Sequence, residues 1–219
     1  MNEQRLLFGG RPVLSFREES DRRRFLRSAA LVGVGGSLAY ALKTDPVSFA
    51  DGNPGSASGV GGDLEILNYA LTLEYLEAEF YAQGIQRDIL SGRELELVTP
   101  IADHERLHVE ALTTTITDLG GTPVAKPEIT IPDDTYGGRD AFLQTAGTFE
   151  ELGVTAYHGQ VPLIASAEIL GAAASIAGVE SRHAAVIAQL LAGDPFPAPV
   201  EGTATRDEVL AAAKPFLGG

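Results

Sequence analysis

The chain contains no cysteine and only four histidines in its 219 residues. Absence of a thiol excludes disulfides, iron–sulfur clusters, thiolate-bound zinc and cysteine nucleophiles, so any metal must be held by oxygen and nitrogen donors. Basic residues are scarce as well, with sixteen Lys and Arg against thirty Asp and Glu and a net charge of −14. Eight of the sixteen fall in the first 50 residues, leaving residues 51–219 with 8 basic and 25 acidic side chains, a net charge of −17. Nucleic acid and anionic lipid are therefore not expected partners. No comfortable membrane span is present either, because the apolar stretch Ala29 to Leu42 is short and glycine-rich. What remains, 44% hydrophobic and 21% charged residues, suffices for one globular domain with a sizeable core.

The first 50 residues read as a leader. Arg22-Arg23-Arg24-Phe25-Leu26-Arg27 precedes the apolar stretch, and Ser48-Phe49-Ala50 supplies a small-x-small site, so cleavage is expected after Ala50. The arginine pair followed by x-Phe-Leu resembles a twin-arginine signal, whose pathway exports folded proteins. Export to the periplasm, cell envelope or exterior is the expectation. Residues 51–62, rich in Gly, Ser, Ala, Asn and Pro, read as a flexible linker, residues 63–197 as the folded domain and residues 198–219 as a tail with one short helix.

Within the domain a chemical pattern occurs twice. Glu74 and Tyr81, followed by Glu105 and His108, are matched by Glu150 and Tyr157, followed by Glu180 and His183. The first pair repeats at an offset of 76 residues and the second at 75. One Glu from each of two helices and Glu-x-x-His from each of two others is the ligand set of a dinuclear metal site inside a four-helix bundle.

Helix punctuation agrees. Asp63 is expected to cap a helix running to about Leu90, and Thr99-Pro100 to open a second that stops at Gly120-Gly121. Residues 120–139, with four glycines and three prolines, form a long crossover with one extended piece at Ile129 to Ile131. A third helix is expected from about Asp140 to Gln160, a fourth from a Ser166 cap to about Leu191, and a capping box at Thr205 and Glu208 starts a short last one. The fold class is all-α, a four-helix bundle with one long crossover made of two duplicated helical hairpins.

Each motif acid falls inside the apolar stripe of its helix, as in Leu67, Leu71, Glu74, Ala78, Tyr81 and in Ile101, Glu105, His108, Leu112. Glu74 and Glu105 are equidistant from the first expected turn, and Glu150 and Glu180 from the second, so all four acids converge on one layer. Burying an unpaired carboxylate costs several kcal/mol, and a pair of metal ions would supply the missing charge. A lone Glu-x-x-His is usually a surface pair; the repetition on apolar stripes makes this one specific. Tyr81 and Tyr157 fit core packing or a hydroxyl bonded to a ligand carboxylate equally well. Glu77 and Glu151 are expected to face solvent, with replacement of the neighbouring acid as a ligand the alternative for either, His104 and His158 to lie off the stripes at the surface, and Arg182 either to pair with a core acid or to cover the surface.

The segment Leu67 to Tyr81, with Glu105-x-x-His108, Ala156-Tyr157-His158-Gly159 and Val179 to Ala185, resembles the exported bacterial ferritin-like proteins related to plant desiccation-associated proteins. Its ligand pattern is similar to that of rubrerythrins, bacterioferritins and manganese catalases. The resemblance implies bridging or terminal carboxylates at Glu74, Glu105, Glu150 and Glu180, with His108 on one metal and His183 on the other. It departs from rubrerythrin in having no cysteines for a rubredoxin centre. Carboxylate-rich ligands suit iron or manganese, so the expected cofactor is dinuclear Fe or Mn and the expected partner a small oxidant, peroxide or dioxygen. If the protein is an enzyme, it is an oxidoreductase of peroxidase, catalase or ferroxidase type. The alternative is a non-catalytic desiccation or stress-protective bundle of the cell envelope, with iron storage third; a homodimer is left open.

Overall fold

A computed structural model describes residues 60–218, and the expected leader and most of the expected linker lie outside them. Five α-helices are found among the described residues: α1 (Val60–Gln86), α2 (Gly92–Asp118), α3 (Arg139–Gln160), α4 (Ala167–Leu190) and α5 (Arg206–Ala213). Helices α1 and α2 form one hairpin and α3 and α4 the other, with α1 facing α3 and α2 facing α4 across the bundle. None of the helices is long and apolar enough to cross a membrane.

The first hairpin corrects two expectations. Helix α2 begins at Gly92, after an extended Ser91, and runs through Pro100. Val98 is fully buried and Leu95 packs against the core, so the apolar stripe recruits the turn before the proline. Pro100 is exposed and costs the helix one hydrogen bond, while the Thr99 hydroxyl donates to Leu95 O as it does inside a helix. Asp63 does not cap its own helix, which starts at Val60. Its buried carboxylate instead accepts from Ala165 N at 2.8 Å and Ser166 N at 2.9 Å, pinning the α3–α4 turn of the other hairpin to the first turn of α1.

Helix α1 stops at Gln86, about one turn before the expected Leu90, with Asp88 left-handed at φ +52, whereas the remaining boundaries follow the sequence. Helix α2 ends in a Schellman motif with Gly120 at φ +77, Gly121 N donating to Ile116 O and Gly120 N to Thr117 O. Helix α4 ends the same way, but the left-handed residue is Ala192 at φ +56 rather than Gly193. Ser166 caps α4 by accepting from Ile169 N, and Thr205 and Glu208 form the capping box of α5. The crossover carries a 3₁₀ turn at Asp133–Tyr136, and Ile129 pairs antiparallel with Leu217, so the C-terminal segment is stitched to it.

The core has two parts. One is built around the stacked rings of Phe80 and Phe142, with Tyr81, Phe149, Val98 and Ile187; Gly84 lets these rings approach, since a Cβ there would overlap Phe142. The other holds Leu71, Leu112, Ile116, Tyr157 and Ile169. On α2 and α4 the motif acids lie between the clusters, Glu105 between Ile101 and Leu112 and Glu180 between Ala177 and Ile187, and on α1 and α3 the clusters interleave around Glu74 and Glu150.

Candidate metal centre

All four duplicated acids, Glu74, Glu105, Glu150 and Glu180, are 0% exposed, with His183 at 4% and His108 at 9%. Their donor atoms gather into two overlapping groups. Glu74, Glu105, His108 and Glu180 form one and Glu105, Glu150, Glu180 and His183 the other, with the atoms of each group within 4.8 Å of one another. Glu105 and Glu180 belong to both groups, so the twofold relation visible in the sequence is reproduced in space: two shared carboxylates from α2 and α4, one private carboxylate from each of α1 and α3, and one imidazole per group.

Some of these atoms bond one another, His108 to Glu74 and Glu105, while others converge without a bond. His108 Nδ1 lies 3.2 Å from Glu74 Oε2, 3.2 Å from Glu105 Oε2 and 3.1 Å from Glu180 Oε1. His183 Nδ1 lies 2.8 Å from Glu105 Oε1 and 3.4 Å from Glu150 Oε2. Yet Glu105 Oε1, Glu150 Oε2, both oxygens of Glu180 and His183 Nδ1 are buried without a well-aligned hydrogen bond. Native interiors seldom leave such atoms unpaired, and an all-oxygen-and-nitrogen set with unspent lone pairs fits a metal ion.

Electrostatics point the same way. Burial raises the Glu74 carboxyl to about 7, with His108 opposing and Glu105 adding to the rise. Burial, reinforced by neighbouring carboxylates, likewise pushes Glu180 well above the ordinary range and raises Glu150. Glu105 is the exception: burial acts on it too, but the two imidazoles override it and hold the group at about 2. Burial disfavours the imidazolium of His183, but Glu105 and Glu150 outweigh it and carry the ring up to about 10; His108 is driven higher still against the same penalty. The layer therefore demands positive charge, which protons supply unless metal ions do.

Both tyrosines reach across the hairpins. Tyr81 donates to Glu150 Oε1 and Tyr157 to Glu74 Oε1. Each private carboxylate thus has one oxygen held by a phenol and the other turned toward its group, while both tyrosine rings also pack in the core clusters.

Two residues escaped the sequence reading. Glu77, expected to face solvent, is 4% exposed, and burial with the charges of Glu180, Glu105, Glu150 and Glu74 holds its carboxyl well above the usual range. The 76-residue offset matches it to Gly153, where a Cβ would sit 3.1 Å from Glu180 Oε2 and 3.2 Å from Glu77 Oε1. A glycine at the position matched to Glu77 was the available signal that an extra carboxylate enters. His104 is exposed as expected but its Nδ1 stands 2.9 Å from His183 Nε2. His158 Nδ1 lies 2.8 Å from Val154 O, and Glu151 and Arg182 are exposed.

A family model described as a ferritin-like domain matches residues 62–193. No curated protein matches the chain.

Proposed function

Since the chain belongs to the ferritin-like domain family, we propose that its buried layer holds a dinuclear iron or manganese centre reactive toward peroxide or dioxygen. The observation that carries this reading is the pair of overlapping donor groups sharing Glu105 and Glu180. Glu74 and His108 would complete one metal position, Glu150 and His183 the other. When bound, such a pair of metals supplies two redox equivalents at one site.

The protein's own side chains would do the rest. Tyr81 and Tyr157 hold the private carboxylates at fixed angles through one oxygen each. The apolar clusters on either side keep bulk water from the layer. Glu77, buried beside the groups but outside both of them, keeps a proton close to the reacting space. A small cavity lined by Leu73, Leu76, Glu77, Phe149, Leu152 and Gly153 lies next to it. Its space of about 10 Å³ is at the threshold for a single water, which favours a very small substrate. The arginine pair Arg22-Arg23 in the expected leader supports export of a folded protein, and stress defence is the role that a peroxide-consuming centre would serve.

Anaerobically loaded protein challenged with hydrogen peroxide tests this. Consumption well above that of the same metal free in solution is the expected result. Full occupancy with peroxide and ferrous ion both left untouched would contradict catalysis. That outcome would favour a second reading, which the buried charge layer also supports: a structural metal neutralising the core of a stress-protective bundle.

A further inference from the structure

His104 belongs to neither donor group and sits at the surface. Its ring nevertheless meets that of His183 edge to edge, with centroids 5.1 Å apart and planes at 20°, and its Nδ1 is 2.9 Å from His183 Nε2. The opposite nitrogen of His183, Nδ1, is the buried unpaired atom 2.8 Å from Glu105 Oε1. A histidine that coordinates through one nitrogen carries its proton on the other, and a partner accepting that N–H fixes both tautomer and ring orientation.

Among the described residues the duplicated half shows no such partner. The 75-residue offset that carries Glu105 onto Glu180 and His108 onto His183 carries His104 onto Val179, an aliphatic side chain that accepts nothing. The two donor groups look alike in their ligands and differ in what stands behind their imidazoles.

We propose that His104 is a positioning residue: by accepting the Nε2 proton of His183 it presents Nδ1 to a metal, making the Glu105–Glu150–Glu180–His183 position the tighter of two unequal ones. The proposal rests on the dinuclear reading above. His104 touches no metal in this arrangement and acts only through His183. Because its ring is exposed, the brace can be altered without entering the core.

Manganese(II) chloride, titrated anaerobically into the full chain with the unbound ion counted by its electron paramagnetic resonance signal, tests both ideas separately. The wild type should take up two ions in unequal steps. His104→Val, which installs the residue of the other half, should weaken one ion about 10- to 100-fold and leave the second unchanged. In a Glu74→Gln background the loss should fall on the ion that remains, and in a Glu150→Gln background it should vanish. His104→Gln, whose amide oxygen accepts the same N–H, should restore the tight step. His104→Ser, short and polar, should repeat the loss if the valine variant folds poorly. Two ions with an unchanged isotherm in His104→Val, equal weakening of both, or no recovery with glutamine would overturn the positioning role while leaving the dinuclear reading intact. A wild type that binds neither manganese nor, in a parallel anaerobic titration, ferrous ion would overturn both.

Discussion

Replacing Glu105 and Glu180 together by glutamine should abolish binding of iron or manganese, whereas Glu74→Gln or Glu150→Gln alone should reduce two metals per chain to one. The difference follows from membership. Glu105 and Glu180 serve both donor groups, and Glu74 and Glu150 serve one each. An amide has the shape of a carboxyl but not its charge, so the layer would keep its packing and lose its hold on cations. Metal-free stability should move in opposite directions for the two shared acids. Glu105 is the anion that both imidazoles face, and removing one partner of a buried ion pair costs about 3–5 kcal/mol. Glu180 is held well above the usual carboxylate range by burial and by repulsion from its neighbours, so Glu180→Gln should raise the melting temperature of the chelated protein at neutral pH. Elemental analysis and thermal melts of the five variants, with Glu105→Gln and Glu180→Gln also made singly, read these outcomes. Metal retained in the double variant would show that the shared acids are not ligands.

Stability of the metal-free and metal-loaded protein should depend on pH with opposite sign. In the metal-free chain, Glu74 titrates near 7 when folded against 4.5 ordinarily. Between those values the folded chain holds a proton that the unfolded chain has lost, and stability falls as pH rises. His183, raised from 6.5 to about 10, extends the fall into alkaline solution. Glu105, lowered from 4.5 to about 2, acts oppositely, giving stability that is lost as pH drops through that lower window. The metal-free optimum should therefore lie near pH 4.5 to 5. Glu74 alone accounts for a loss on the order of 3 kcal/mol between there and neutrality, or about 6–12 °C in melting temperature for a chain of this size. Bound metal requires deprotonated ligands, so its stabilisation should grow from acid toward neutral pH. Melts from pH 4 to 9, in chelator and in excess manganese, should diverge as pH rises. Parallel curves would contradict the account.

The bundle and the meeting of the six duplicated residues were legible because each acid sits on an apolar stripe at matched distances from its turn, a pattern that survives errors of several residues in helix ends. The Thr99-Pro100 boundary was misread because a local signal, proline after threonine, lost to burial of Val98 and Leu95, which only the packed structure reveals. Asp63 misled for a similar reason: its carboxylate serves backbone donors a hundred residues away. Glu77 was hidden because three acids close together on α1, Glu74, Glu77 and Glu79, cannot be sorted by period alone. The clue lay in its partner position, Gly153. The His104–His183 contact joins residues from different hairpins, and nothing local to either announces it.

The most direct measurement is the metal content of the full-length protein isolated untagged from its native host. Close to two iron or manganese atoms per chain is the result this account predicts. No metal, with none taken up on anaerobic reconstitution, would mean that the buried acids and imidazoles satisfy one another with protons and would contradict it.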